Sequence, residues 1–516
     1  MINTVKHKMK SVMLAVTAFT VGASVMAIEI TASRVLAPHF GASLFVWTAL
    51  IVTVLLSMSL GYWFGGKLTS RFADARVLGL FLCGASVLLM LGMWATGRIS
   101  VSVPKLLTDF GGATAVLFAG SLLVSFLVFS LPVFLLAMAG PFILARWAED
   151  GEDVGAVAGK YFAISTVGSV IGTVTPTLVF VPEFGVRATM ISIAVVLGVL
   201  GMLFVRGVMR PIAVCVVALA ISLVVVQGRS RPETVVYEHD SPYQLIRIEE
   251  RGGIRYLTFN EASGVQSVYR PDGGRTRYYY DHFAAIPFLG GSETPHSKAA
   301  VLGLAGGTLV RQYVSALPDG TVMDIVGVEI DGAVVDAARQ YFALDELPLK
   351  IVERDGREFL TSGDEQYDNI IIDAYSTQLY IPSHMASREF FSSVRDRLSD
   401  RGFAAMNINA PHADSRLLTV MTNTVASVFP HVYVLKAGSS WNWLVIAGNT
   451  APDFTAVAGS LPEDYADVAE AFLAARRVAY DGDTGVFTDD WAPIEHMTDG
   501  MISEAMVEMV GDQDRS

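Results

Sequence analysis

The stretch Ala299-Ala-Val-Leu-Gly-Leu-Ala-Gly-Gly-Thr308 decides the fold of the C-terminal half. Its first four residues form a short apolar run of strand length, and glycines interrupt the run immediately afterwards. Glycines at the start of a helix let the backbone approach a ligand closely, and the free N–H groups there attract polar or negative ligand atoms. The stretch therefore predicts a strand, a ligand-binding loop that contains Gly303 and Gly306, and then a helix.

Further apolar runs of strand length follow, separated by segments of helical pattern: Val322–Val328, Leu349–Val352, Asn369–Asp373 and Gly402–Met406. This alternation predicts an α/β domain with a doubly wound, Rossmann-like parallel sheet. In such a sheet, ligands bind outside the carboxyl ends of the strands, where the strand order reverses. Functional residues are therefore expected at the strand ends.

Acidic residues stand at three of these ends. Glu329 follows the glycines by about 20 residues, where a carboxylate can accept hydrogen bonds from both ribose hydroxyls. Asp355 ends the next strand, where an acid can receive the exocyclic amine of adenine while Gly356 leaves room for the ring. Asp373 ends the fourth strand and brings Tyr375 to the centre of the cleft. Each acid alone could be an ordinary cap, but the ordered set predicts a nucleoside site.

The chain before residue 228 has a different character. Over the whole protein 52% of residues are apolar and 17% charged, whereas about a quarter are charged in ordinary soluble domains. A helix needs about 20 apolar residues to cross a bilayer, and seven segments qualify: 11–33, 43–65, 77–96, 113–138, 158–181, 188–206 and 211–228. We therefore predict an α-helical membrane domain over 1–228, a small β unit over 229–290 and the Rossmann-like domain over 291–516.

Basic residues are collected on one side of the predicted spans, which the positive-inside rule makes the cytoplasmic side. The N-terminus, with Lys6, Lys8 and Lys10, is therefore predicted to be cytoplasmic, in a multi-pass protein of the cell (inner) membrane. An odd number of spans favours the outside for the C-terminal domain, but a cytosolic cofactor would require the inside. The lipid bilayer is an expected partner, and the side of the C-terminal domain stays open.

Charge and cysteine usage exclude several classes. The net charge of -13 and the lack of a basic cluster argue against a nucleic-acid partner, because binding to phosphates needs clustered Lys and Arg. The two cysteines, Cys83 and Cys215, lie in apolar segments and suit neither a disulfide framework nor a zinc site. We therefore expect no metal.

The segment before the sheet carries a second group of motifs. Alternating patterns at 244–249 and 255–259 predict two strands of the small β unit. The motifs Ser241-Pro-Tyr-Gln244, Gln266 and Tyr279-Tyr-Asp281, together with the strand-end acids, resemble those of the spermidine synthases. These polyamine aminopropyltransferases have the fold of S-adenosylmethionine-dependent enzymes. The resemblance covers residues 237–449.

Two later segments, Pro382–Phe391 and Phe487–Glu495, resemble the membrane-fused branch of this family. Either His384 or Glu495 could reach the cleft. For His384 the pattern favours a helix cap or a surface position, and for Asp489 and Asp490 it favours a solvated turn.

The resemblance implies roles for particular residues. Glu329 would hold the ribose, Asp355 and Gly356 the adenine, and Gln244 and Gln266 would approach the cofactor. The donor would be decarboxylated S-adenosylmethionine, and the acceptor would be putrescine or a related amine. Such an enzyme must deprotonate the attacking ammonium group and align both reactants.

The chain departs from the family at two positions. Ala305 stands where the glycine loop usually has an Asp, and Ser376 stands where the family has its expected catalytic Asp. A hydroxyl cannot replace a carboxylate as a base near pH 7. Asp373, Tyr375 and Asp281 are therefore the candidate catalytic residues, and the motifs leave open whether the chain is active.

Three hypotheses follow. The first is a membrane-anchored transferase that moves an aminopropyl group to an amine. The second is an S-adenosylmethionine-dependent methyltransferase on the same fold, because one fold hosts many chemistries. The third is a non-catalytic sensor or transporter of polyamines or nucleosides. A homodimer is compatible with all three.

Overall fold

The computed structural model describes residues 2–40, 44–72, 74–107, 113–148, 153–205, 214, 217–218, 233–260, 264–291, 298–375 and 379–502. The chain forms two compact units. The first contains residues 1–233 and 239–244, and the second contains residues 234–238 and 245–516.

The first unit is helical. Its helices are α1 Ile2–Phe40, α2 Leu44–Thr69, α3 Ala75–Leu107, α4 Ala113–Ser125, α5 Leu131–Ala148, α6 Val154–Thr175 and α7 Val181–Phe204. Short π-helical segments join α4 to α5 at Phe126–Ser130 and α6 to α7 at Pro176–Phe180. A proline removes a backbone hydrogen bond from a helix. A π turn lets the helix continue past it, because neighbouring groups form hydrogen bonds to the backbone atoms that are left without a partner.

Five helical stretches, rather than the predicted seven, are long and apolar enough to cross a membrane within the described residues: 9–37, 44–69, 75–100, 118–148 and 154–204. The predicted span 158–181 and most of the predicted span 188–206 fall within the 51-residue stretch 154–204. It is interrupted at Gly185, whose φ of 81° is not helical. The predicted fourth span continues to Ala148, through Pro141 inside α5. The predicted span 211–228 lies outside the described residues apart from three positions.

Glycines set the packing of this unit. A Cβ at Gly168 would lie 2.2 Å from the backbone oxygen of Phe19, and a Cβ at Gly172 would lie 2.0 Å from that of Ala23. Both glycines therefore let α6 approach α1 at backbone distance, as small residues do between membrane helices.

The second unit contains two sheets. The smaller has the strand order β1-β2-β3-β4, with strands β1 Val235–Asp240, β2 Leu245–Arg251, β3 Ile254–Phe259 and β4 Val265–Tyr269. The larger has the order β12-β10-β11-β9-β8-β5-β6-β7. Its strands are β5 Lys298–Leu302, β6 Asp324–Glu329, β7 Leu349–Glu353, β8 Tyr367–Ile372, β9 Leu398–Asn409, β10 His431–Lys436, β11 Asn442–Gly448 and β12 Arg476–Val478.

The larger sheet is doubly wound and Rossmann-like, as predicted. Strands β5 to β9 are mutually parallel, whereas β10, β11 and β12 extend one edge in antiparallel fashion. The chain leaves β5 for β6 and β7 on one side, and then crosses over to β8 and β9 on the other. The strand order therefore reverses between β5 and β8, which places the expected ligand site there.

Helices cover both faces of this sheet: α8 Thr308–Ser315, α9 Gly332–Phe342, α10 Gly356–Ser362, α11 Arg388–Asp396, α12 Arg416–Ala426, α13 Phe454–Ser460 and α14 Ala466–Leu473. Neighbouring strand residues point into opposite cores: Leu302 and Ile372 into one, Val301 and Ile371 into the other. Burial on both faces explains why these strands are continuously apolar. Strand β6 starts later than predicted because Val322 is exposed.

Candidate active site

Backbone hydrogen bonds hold the four strand ends side by side. The Gly303 N–H donates to the Val328 carbonyl at 2.9 Å, and the Asp373 N–H donates to the Leu302 carbonyl at 2.9 Å. On the far side of β6, the Arg354 N–H donates to the Glu329 carbonyl, also at 2.9 Å. The groups that follow β5, β6, β7 and β8 therefore share one edge of the sheet.

Gly303 makes this close approach of strand ends feasible. Its φ is 92°, and a Cβ there would lie 2.4 Å from the Asp373 carbonyl oxygen. Only glycine adopts such a conformation without strain. Gly306 has a different role: a Cβ there would lie 2.7 Å from the Ser267 Cβ, and its N–H donates to the Ser267 Oγ at 2.8 Å. Strand β4 therefore packs directly on the glycine loop.

Gly303→Ala is expected to destabilise the protein by at least about 2 kcal/mol more than Gly438→Ala. Gly438 also has a positive φ, 75°, but open space surrounds it. The control therefore measures backbone strain alone, whereas the Gly303 variant adds the clash with Asp373. Thermal unfolding of both variants measures the difference, and equal losses would contradict the role given to this contact.

Backbone N–H groups surround the Glu329 carboxylate. Its Oε2 accepts from the Ala305 N–H at 3.0 Å, and its Oε1 accepts from the N–H groups of Ile330 and Asp331 at 3.0 and 3.2 Å. Burial raises the pKa of the Glu329 carboxyl, and the hydrogen bonds from Ala305 and Asp331 oppose that rise. The glycine loop thus fixes the direction of this side chain.

Asp355 begins helix α10. Its Oδ1 accepts from the N–H groups of Arg357 and Glu358 at 2.9 and 3.0 Å, and its Oδ2 lies 2.9 Å from the His384 Nε2. Burial would raise the pKa of the Asp355 carboxyl, but the hydrogen bonds from Glu358 and His384 outweigh it, so the pKa is lowered. His384 therefore contacts the predicted adenine site.

Gly356 follows Asp355 and packs closely against side chains beside the sheet. A Cβ there would lie 2.8 Å from the Met385 Cε and 3.4 Å from the Leu302 Cβ. The nearest group is thus the flexible end of the Met385 side chain, which can move aside for a planar ring.

Asp373 lies at the reversal of strand order, between two neutral donors. Its Oδ2 accepts from the Tyr279 hydroxyl at 2.8 Å, and its Oδ1 accepts from the Asn407 side-chain amide at 2.9 Å. Burial raises the pKa of the Asp373 carboxyl to about 6, although both hydrogen bonds act to lower it. A carboxylate with this pKa is ionised at neutral pH and still able to take up a proton.

Tyr375 is held by the backbone of β9. Its hydroxyl donates to the Asn407 carbonyl at 2.9 Å and accepts from the Asn409 N–H at 3.2 Å. Burial and the nearby Asp373 charge raise the pKa of Tyr375 well above its usual value. Tyr375 therefore remains protonated at neutral pH and can position groups, whereas Asp373 can ionise.

Asp281 belongs to a separate network. Its carboxylate accepts from the Arg275 Nε at 3.1 Å and from the N–H groups of Thr276 and Arg277, both at 2.9 Å. Only 1% of its surface is exposed. Arg275 in turn forms a bidentate pair with Asp467. Asp281 would therefore have to break several hydrogen bonds before it could accept a proton.

The remaining predicted residues occupy varied positions. Gln266 is the extra residue of a β-bulge between β3 and β4, directly before the Ser267 that contacts the glycine loop. Gln244 is buried in a turn with Ser241 directly before β2. Ala305 has a positive φ of 46°, a conformation that Asp tolerates better than Ala. Ser376 lies outside the described residues.

Three polar residues near Asp373, namely Tyr279, Asn407 and Asn442, had no predicted role in the site. Tyr279 and Asn407 bind the Asp373 carboxylate, and the Asn442 amide bridges the side-chain oxygens of Asn407 and Asn409, both at 3.0 Å. The sequence contained two signals: Tyr279 begins the Tyr279-Tyr-Asp281 motif, and Asn407 and Asn409 are polar residues at the end of an apolar strand. Asn442 comes from an antiparallel strand that pattern alone did not place beside β9.

The described residues contain no group of three or more His, Cys, Asp or Glu side chains arranged to hold a metal ion.

The strand order, the glycine loop and the acids at successive strand ends define a class: a doubly wound α/β domain with acidic groups at the sheet edge where domains of this class bind their ligands. Residues 288–439 match the spermine/spermidine synthase domain. The segment 288–439 therefore contains a domain similar to those of the spermine/spermidine synthases.

Individual relatives agree with this assignment. A probable polyamine aminopropyl transferase of Bifidobacterium longum (strain NCC 2705) is 34% identical over 204 residues, which are 39% of this chain and 44% of that protein. A polyamine aminopropyltransferase of Vibrio vulnificus (strain CMCP6) is 29% identical over 210 residues, 39% of this chain and 68% of that protein. The chain thus matches less than half the length of the first relative.

A solved structure of a probable spermidine synthase from Corynebacterium glutamicum ATCC 13032 aligns with 16% identity and a TM-score of 0.40. The alignment covers 51% of this chain and 98% of that one.

Proposed function

We propose that this protein is a membrane-anchored aminopropyltransferase. Its donor is decarboxylated S-adenosylmethionine, and its acceptor is putrescine or a related amine. The observation that carries the proposal is the position of Asp373, a carboxylate with a pKa of about 6 at the reversal of strand order. On one side of it lie the acids suited to a nucleoside, and on the other lie polar groups suited to an acceptor.

The donor's nucleoside fits the side of the cleft formed by β5, β6 and β7. Glu329 retains a lone pair on Oε2 for a ribose hydroxyl, because only one N–H occupies that oxygen. Asp355 retains acceptor capacity on Oδ2 for the adenine amine. Gly303 removes the side chain that would otherwise fill the space where the donor crosses the strand ends.

The chemical step is a displacement at carbon. The acceptor's ammonium group gives a proton to Asp373, and the freed nitrogen lone pair forms a bond to the carbon next to the sulfonium. The carbon–sulfur bond breaks, and its electron pair neutralises sulfur as a thioether. Because the leaving group is already activated, the protein's tasks are alignment and removal of that proton.

Purified full-length protein should convert decarboxylated S-adenosylmethionine and putrescine into a product heavier by one aminopropyl group. Product mass is the measurement. A product heavier by a methyl group, formed only with intact S-adenosylmethionine, would replace this proposal with the methyltransferase alternative. Nucleoside binding without turnover on any amine would favour a sensor or transporter.

One observation favours the methyltransferase alternative over ordinary spermidine synthesis. Beside Asp373, the described residues at the end of β9 are the amides Asn407 and Asn409 rather than further carboxylates. These two amides and Ala305 carry no charge. The site therefore has fewer carboxylates than would be needed to bind the amino groups of both a diamine and an aminopropyl donor. Comparing the two donors in the product-mass assay decides between these activities.

Tyr279→Phe is expected to move the rising limb of the pH profile of kcat/KM to higher pH by up to about one unit. The Tyr279 hydroxyl stabilises the ionised form of Asp373, so its loss raises the pKa of the base. Tyr278→Phe is the matched control, because that neighbouring side chain is exposed. An unchanged limb in the Tyr279 variant would remove Asp373 from the role of base.

The membrane assignment is part of the same proposal. It rests on five described stretches whose length and composition suit a bilayer and on the basic residues of the N-terminus. If all seven predicted spans cross the membrane, a reporter fused after Ser516 should be active only outside the cytoplasm. Cytoplasmic activity of the reporter would require an even number of spans and would agree with a cytosolic donor.

A further inference from the structure

We infer that Asp489 is a positioning residue for adenine recognition, so that the nucleoside site is complete only when the segment 487–491 is docked against helix α10. This inference rests on the proposed function. The segment contains the Thr488-Asp489-Asp490 sequence for which composition alone favoured a solvated turn. The side-chain contacts of Asp489 indicate a positioning role instead.

Asp489 forms a bidentate pair with Arg357. The Arg357 Nη1 lies 2.6 Å from the Asp489 Oδ1, and the Nη2 lies 2.6 Å from the Oδ2. Arg357 is the second residue of α10, and its backbone N–H donates to the Asp355 Oδ1. An arginine held at two points cannot rotate freely, so Asp489 restrains the helix turn that presents Asp355.

The same arginine reaches the other neighbour of Asp355. The Arg357 Nη1 also donates to the His384 carbonyl at 3.0 Å, and the His384 ring lies 2.9 Å from the Asp355 Oδ2. Asp355 is therefore held through its own backbone contacts on one oxygen and through His384 on the other. Loss of the Arg357 side-chain anchor would free the turn that carries His384 and loosen the helix turn whose N–H groups bind Asp355.

The segment is fixed at further points. The Ser387 Oγ donates to the Asp489 Oδ1 at 2.5 Å, and the Asp489 N–H donates to the Glu389 carboxylate at 3.1 Å. Phe487 is fully buried, and its carbonyl accepts from the Arg388 N–H at 2.8 Å. The segment thus joins helix α10, the turn with His384 and the start of α11.

Solvent exposure limits what this pair contributes to stability. The side chains of Asp489 and Arg357 are 43% and 22% exposed, and exposed ion pairs contribute little to folding. A pair with ideal bidentate geometry next to a binding residue suits positioning better than stabilisation. Its effect should therefore appear in ligand selectivity before it appears in unfolding.

The test measures binding of two thioether nucleosides to the full-length protein in detergent. 5′-Methylthioadenosine carries the adenine amine that Asp355 accepts, and 5′-methylthioinosine carries a carbonyl oxygen there instead. Wild-type protein should prefer the adenine compound. Asp489→Asn should weaken binding of the adenine compound by about tenfold and of the hypoxanthine compound by less than twofold, because one charge-assisted contact is at stake.

Two matched variants complete the design. Asp490→Asn removes the same charge from the next, exposed residue and should leave both affinities unchanged. Arg357→Lys keeps the charge but loses the bidentate geometry, so it should reproduce the loss of selectivity even if the Asp489 variant folds poorly. The double variant should be no worse than the worse single one, because both act through one contact.

Equal weakening of both nucleosides by Asp489→Asn, or an unchanged preference, would overturn the inference while the proposed function stands. A wild-type protein that binds nucleosides without an adenine preference would also overturn it. A wild-type protein that binds neither nucleoside would overturn the proposed function and this inference with it.

Discussion

Asp373→Asn is expected to lower the rate of transfer by about a hundredfold to ten-thousandfold, because it removes the base that accepts the acceptor's proton. General base catalysis contributes about 10²- to 10⁴-fold. The substitution keeps the size of the side chain, and the amide can still accept from Asn407 and donate to the Tyr279 oxygen. Single-turnover measurements at saturating donor and acceptor separate this loss from any change in binding.

The same variant is expected to be more stable than the wild type at pH 8. The pKa of Asp373 is about 6 in the folded protein, whereas the ordinary value for an Asp carboxyl is 3.8. The folded state therefore binds more protons between these values, and stability falls as the pH rises from about 4 to about 6. Above that window, the ionised buried carboxylate costs roughly 2–3 kcal/mol, which the amide avoids.

Thermal unfolding of the full-length variant and wild type at pH 4 and pH 8 measures this effect. The midpoint difference in favour of Asp373→Asn should be large at pH 8 and small at pH 4. A difference that does not depend on pH would show that the carboxyl is not the strained group. Transfer activity of Asp373→Asn equal to that of the wild type would show that another residue is the base.

Glu329→Gln is expected to weaken binding of decarboxylated S-adenosylmethionine by about 100-fold. A ribose hydroxyl would donate to the free lone pair on Oε2, and a hydrogen bond to a charged group contributes about 1.5–3 kcal/mol, the upper value of which corresponds to about 100-fold in affinity. The amide also places N–H groups against the Ala305 N–H that now donates to Oε2. Calorimetry with the nucleoside measures the loss.

Glu353→Gln is the control for this prediction. Glu353 is the direct register neighbour of Glu329 on β7, and its side chain is exposed. The control removes the same charge one strand away and should change affinity less than twofold. Equal losses in both variants would mean that Glu329 acts through general charge rather than through a hydrogen bond to the ligand.

Local pattern was sufficient for the main strands of the sheet, because parallel strands buried on both faces are continuously apolar. The carboxyl ends of parallel strands share one edge of the sheet, so Glu329, Asp355 and Asp373 could be placed together at that edge. The antiparallel strands β10 to β12 were missed. Their short runs pair through tertiary contacts, so no period in the local sequence distinguishes them from other buried segments.

The number of membrane-crossing stretches shows a different limit. Hydropathy divides 154–204 into two segments, but the structure keeps it helical through a π turn at Pro176 and interrupts it only at Gly185. Whether a proline or a glycine breaks an apolar helix depends on which neighbouring groups satisfy its backbone. Composition does not contain that information.

The sequence by itself determined the order of the parallel strands, the glycine loop and the residue types available at the strand ends. It did so because these depend on local periodicity and on the fixed geometry of parallel sheets. Only the tertiary structure decided which hydrogen-bond partners each carboxylate has. Asp281 is enclosed by Arg275, Asp373 is held between Tyr279 and Asn407, and Asp489 is paired with Arg357 from a distant part of the chain. Such partners are separated by up to 132 residues, and long-range contacts of this kind leave no periodic signal in the sequence.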